Sequence, residues 1–101
     1  KKQIQATIDY YMDNAQRMLN RLRVLGYEVY GGENAPYIWM RTPDGMGSWQ
    51  FFEALLYGAN VVCTPGVGFG PSGEGYVRFT AFGSHERTNE ALDRIEAWSK
   101  R

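Results

Sequence analysis

Between positions 60 and 83 the chain reads NVVCTPGVGFGPSGEGYVRFTAFG, two short apolar stretches divided by a run dense in glycine. That order predicts strand, loop, strand, because β-branched and aromatic residues favour pleated backbone while glycine and proline interrupt it. Alternation along the second stretch assigns Val77, Phe79 and Ala81 to a packed interior and Tyr76, Arg78, Thr80 and Phe82 to the opposite face. An arginine thus stands on an aromatic surface beside a flexible loop, an arrangement suited to holding a carboxylate.

The remaining elements follow from periodicity and punctuation. Ile4, Ile8, Tyr11, Met12, Ala15, Leu19 and Leu22 recur at spacings of three and four, which predicts an amphipathic helix to about Leu25 with Gly26 as its stop. Such a helix is about 33 Å long, more than a domain of this size needs for itself, so it is expected to brace against something else. Short strands are predicted at 27–30 and 37–41 around the loop GGENAP, followed by a Thr42-Pro43-Asp44-Gly45 turn. Ser48 is expected to cap a helix through about Tyr57 whose apolar face is Trp49, Phe52, Leu55 and Leu56, with Gly58 ending it. Strands at 60–64 and 76–82 flank the loop 65–75, and Ser84 caps a last helix lined by Thr88, Ala91, Leu92, Ile95 and Trp98. The order implies an α+β domain, helices packed on a small mixed or antiparallel sheet, over residues 1–101.

Composition narrows the function. The 101 residues, 44% hydrophobic and 15% aromatic, suit one ordered domain, and 11 basic against 11 acidic residues give no surface for a general polyanion. Nucleic acid is therefore not an expected partner. No apolar run approaches the ~20 residues of a membrane helix, so no membrane partner and a cytoplasmic location are expected. One cysteine, Cys63, and one histidine, His85, are too few for a disulfide or a structural zinc site. The lysines, Lys1, Lys2 and Lys100, all lie at the ends, leaving no interior amine for a Schiff base. The chain also opens on Lys1 inside a helical pattern, as a segment of something longer would.

Several residues admit two readings. Gly68, Gly70 and Gly73 spell GxGxxG, but a strand follows where a phosphate cradle needs a helix N-terminus, so the glycines are read as a tightly turning loop. Arg78 is either an outer-face arginine paired internally with Glu74 or Glu33, or a free cation for a substrate carboxylate. Asn34 either forms a turn or offers an amide to a ligand. Cys63 reads as a small buried hydrophobe and His85 as a surface residue at a helix start. Tyr30, Tyr37, Trp39 and Tyr76 form more exposed aromatic surface than a free-standing domain needs, which points to a covered face.

Residues 27–56 and 59–83, above all GGENAPYIW and TPGVGFGPSGEGYVR, resemble the C-terminal segment of the LL-diaminopimelate aminotransferases, a branch of the class I, fold-type I pyridoxal-phosphate enzymes. The resemblance implies the C-terminal part of the small domain that closes over substrate. It implies that Arg78 matches the arginine gripping the substrate α-carboxylate, with the glycine loop before it at the mouth of the site, where Asn34 and Tyr76 are the further candidate residues. It further implies a homodimeric parent enzyme that uses pyridoxal 5'-phosphate on amino-acid and 2-oxo-acid substrates, the cofactor lysine lying in parts absent here. This chain alone is then expected to bind no cofactor and to be inactive, with no catalytic residue of its own. Two alternatives stay open: another class I aminotransferase of aspartate, aromatic or methionine specificity, and a free-standing, non-catalytic module binding a small carboxylate or a protein through the 65–75 loop and the Tyr76, Arg78, Thr80 face.

Overall fold

The computed structural model describes residues 2–101. Its first element is the predicted helix, α1 (Lys2–Val24), ended by Gly26 at a positive φ of 96°. The C-terminal half of α1 buries Asn14, Ala15, Met18, Leu19 and Leu22, whereas Ile4 and Ile8 remain exposed on its outer turns. The predicted apolar face is therefore only half covered within this domain, as its length anticipates.

Strands β1 (Val29–Gly31) and β2 (Tyr37–Arg41) form a hairpin, and helix α2 (Ser48–Ala59) follows a 3-10 turn at Pro43–Gly45. Strand β3 (Thr64–Pro65), two further 3-10 turns at Gly66–Phe69 and Pro71–Gly73, strand β4 (Tyr76–Thr80) and helix α3 (His85–Ser99) complete the chain. The sheet is antiparallel throughout, in the order β1-β2-β4-β3. Its inner face contributes Val29, Ile38, Met40, Val77 and Phe79, which pack with Leu19 and Leu22 of α1, Phe51 and Leu55 of α2, and Leu92 and Ile95 of α3. Arg21 joins two helices at the surface, bonding Asp93 at 2.9 Å and Glu96 at 3.0 Å.

Where sequence and structure part, backbone amides explain most of the differences. The strand predicted at 27–30 starts at Val29, since the Tyr27 amide donates to the Leu22 carbonyl and closes the end of α1. The strand predicted at 60–64 reduces to Thr64–Pro65. Asn60 adopts a left-handed conformation, and the Val61 amide donates to Leu55. Asn60 rather than Gly58 thus ends α2, and Gly58 instead leaves room for the Trp98 indole. The strand predicted at 76–82 ends at Thr80, where the Ala81 amide turns to the Pro36 carbonyl at 2.9 Å.

Helix α2 is also rotated from its predicted face. Ser48, Phe51, Leu55 and Ala59 are buried, and Trp49 is 57% exposed. Its N-cap is Gly47, because the Ser48 side chain is engaged elsewhere. Ser84 does cap α3 as predicted, accepting from the Arg87 amide at 3.0 Å.

Candidate functional site

The register of the sheet builds the site one row at a time. Tyr30 pairs with Trp39, Trp39 with Arg78, and Arg78 with Thr64, so a single outward-facing row crosses all four strands. Because side chains alternate, the flanking positions of the same face belong to Tyr37 and Thr80 on one side and to Arg41 and Tyr76 on the other. Arg78 stands in the middle of this aromatic surface, as the alternation of β4 requires.

The glycine loop folds over that row. A Cβ on Gly66 would lie 2.6 Å from the Tyr76 carbonyl oxygen and closer still to that of Gly73, so the backbone crosses itself at a distance only glycine allows. The hydroxyl of Ser48, fully buried at the start of α2, locks the crossing. It donates to the Gly73 carbonyl at 3.1 Å and accepts from the Gly75 amide at 3.0 Å and the Tyr76 amide at 3.3 Å. The closed loop presents Phe69, half exposed, edge-on to Trp39 with ring centroids 5.4 Å apart. A groove of about 400 Å³ results, lined by Tyr30, Trp39, Phe69, Ser72, Gly73 and Tyr76.

Arg78 lies with its Cζ 4.4 Å from the centroid of Tyr37 and 4.4 Å from that of Phe69. Both contacts are of cation–π geometry. Neither Glu74 nor Glu33 pairs with it, and among the described residues it belongs to no ion pair. Its Nε is buried with no hydrogen-bond partner. Tyr76 lies two residues away on the same face and lines the groove, whereas Asn34 is exposed on the hairpin loop. Tyr76 and Arg78 thus share one face of β4, with Tyr76 lining the groove, Arg78 packed against Tyr37 and Phe69 beside it, and Asn34 outside the groove lining.

Two neighbours of the site, Phe69 and Ser48, and one helix contact away from it, that of His85, are not identified by sequence reasoning. An aromatic residue flanked by glycines, as in Gly68-Phe69-Gly70, has no packed face of its own, and that was the available signal for Phe69. Nothing distinguished Ser48 from an ordinary cap. His85, expected as a plain surface residue, stacks on Tyr10 of α1 with ring centroids 3.7 Å apart and lies 3.5 Å from Asp13, which docks α3 against α1. Cys63 is buried as expected, and burial pushes its thiol up to about 12.

Residues 1–95 match the family profile described as aminotransferase class I and II. The chain is 61% identical over 98 residues to the LL-diaminopimelate aminotransferase of Bacteroides thetaiotaomicron, covering 97% of this chain and 24% of that protein. It is 62% identical over 97 residues to that of Lachnospira eligens, covering 96% and 24%. Among solved structures, L,L-diaminopimelate aminotransferase from Chlamydomonas reinhardtii superposes with a TM-score of 0.92 at 46% identity, covering 95% of this chain and 23% of that one. Aromatic aminotransferase from Pyrococcus horikoshii gives 0.89 at 33% identity, covering 95% and 26%. The chain thus spans about a quarter of the length of the relatives it matches.

Proposed function

The chain belongs to the class I and II aminotransferases, and from that membership we propose that it is the C-terminal small-domain part of a longer LL-diaminopimelate aminotransferase. The parent protein would exchange an amino group between LL-2,6-diaminopimelate and 2-oxoglutarate, in lysine biosynthesis. Relatives of that name match almost the whole chain, which supports this specificity over the others in the class.

One observation carries the role of the site: Arg78 is held beside two aromatic rings, and among the described residues no carboxylate pairs with it. Amino donor and 2-oxo acceptor share an α-carboxylate and differ at the far end. A fixed cation that grips the shared group can therefore serve both half-reactions. Tyr76 lines the groove beside it, and Asn34 is assigned to the outer mouth.

Pyridoxal phosphate supplies the carbanion chemistry in such enzymes and is held by a lysine. Among the described residues neither lysine fits that task, since Lys2 is exposed on the outer turns of α1 and Lys100 is bonded to Glu96 at the surface. The cofactor therefore falls to the rest of the parent protein, for which a homodimer is part of the same proposal. The part of this chain is binding and orientation.

The test is Arg78→Leu in the full-length enzyme. Losing charge-assisted hydrogen bonds to a carboxylate should lower kcat/KM by about a hundredfold or more for both substrates. Unchanged steady-state kinetics would sink the assignment. Turnover of aromatic amino acids in place of LL-2,6-diaminopimelate would move the protein to another branch of the class.

A further inference from the structure

We infer that Phe69 is a positioning residue for substrate binding, which with Tyr37 clamps the Arg78 guanidinium so that its two terminal nitrogens, and not Nε, receive the α-carboxylate. The inference rests on the carboxylate role of Arg78 proposed above. It arises from three observations that this role alone does not require.

The guanidinium carbon is equally close, at 4.4 Å, to the rings of Tyr37 and Phe69. A guanidinium is planar and stacks well on aromatic faces, so two rings restrict both its tilt and its swing. Nε is buried without a partner, which removes the side-on approach that would pair a carboxylate with Nε and one terminal nitrogen. The terminal Nη1 and Nη2 remain as the fork for a bidentate contact.

The two rings are held by different means. Tyr37 is fixed in β2, opposite Thr80 of β4. Phe69 is carried on a loop that is locked by the Gly66–Gly73 crossing and the Ser48 hydroxyl, yet the residue is 52% exposed. A large apolar side chain held at the tip of a locked loop contributes little to the core, and its contacts are with Arg78 and Trp39. Ordering the arginine before substrate arrives lowers the entropy lost on binding.

The experiment compares Phe69→Leu, Phe69→Tyr and Arg78→Leu in the full-length holoenzyme, with cofactor absorbance and melting temperature as controls. Phe69→Met, which keeps volume without a ring, replaces the leucine variant should that one unfold early. Loss of the ring should raise KM about fivefold to tenfold for amino donor and 2-oxo acceptor alike, with kcat nearly unchanged, and tyrosine should restore it. Wild-type KM in the leucine and methionine variants, with KM raised in Arg78→Leu, would overturn the clamp and leave the carboxylate role standing. Wild-type kinetics in Arg78→Leu would overturn both.

Discussion

Asn14 of α1 and Ala81, just beyond β4, lie 67 residues apart in sequence, and the Asn14 side-chain amide donates to the Ala81 carbonyl at 3.1 Å. The same nitrogen donates to the Gly83 carbonyl at 2.7 Å. Asn14 is fully buried in a helix stripe otherwise made of Ala15, Met18, Leu19 and Leu22. A polar residue in that stripe is explained by where β4 ends. The strand leaves the sheet at Thr80, and the carbonyls that follow need a donor that no neighbouring strand supplies.

Replacing Asn14 by alanine should therefore destabilise the protein beyond the loss of its volume. A buried carbonyl left without a donor costs about 1–3 kcal/mol. Urea unfolding of the intact protein should show a lowered midpoint, and Asn14→Leu, which restores apolar volume but no donor, should recover little of it. A leucine variant as stable as the parent would mean that the carbonyls find other donors.

Much of this fold is legible in the sequence, and the reasons are local. The positions of α1, α3 and the Tyr76 to Thr80 strand follow from periods of 3.6 and 2, and the period of 2 alone puts Arg78 on the outer face. The face of α2 is not legible, because Trp49, Phe51, Phe52, Leu55 and Leu56 offer more apolar residues than one stripe can bury, and packing selects among them. The aromatic residues beside Arg78 are more covered than the sequence suggests. Phe69 folds down upon Trp39 and Arg78 from a loop that has no period to read. The two uses of Ser48 likewise look alike until the loop is seen to close on it. The internal pairing of Arg78 with Glu74 or Glu33, which sequence leaves open, is not realised.

Cys63 provides a pH-dependent test of burial. Desolvation pushes its thiol up to about 12, well above the usual ~8.5 of an exposed cysteine. A group whose value is raised on folding leaves stability intact below its unfolded value and erodes it as pH climbs toward the folded one. Stability should thus fall between about pH 8.5 and 12, and Cys63→Ala should flatten that decline. At pH 8 the native thiol should resist alkylation and become labelled only in denaturant, with peptide mass analysis locating the label. Rapid labelling of Cys63 in the native protein would contradict the burial.

The loop crossing connects stability to the site, and Gly73 and Ser48 test it from its two sides. A Cβ at Gly73 would sit against the backbone of Gly66, with the Gly66 Cα 3.1 Å away, and neither strand of the crossing can give without opening the loop. Ser48→Ala removes the hydroxyl that serves the Gly73 carbonyl and the Gly75 and Tyr76 amides, at a loss of about 1–3 kcal/mol. Gly73→Ala should be at least as damaging, because it adds a clash where Ser48→Ala only removes a bond. Both changes release the loop that carries Phe69, so both should raise KM in the full-length enzyme as well as lower its melting temperature. A Gly73→Ala enzyme with wild-type KM and melting temperature would show that the crossing is not closed in solution, and the loop would then have no means of holding Phe69 over Arg78.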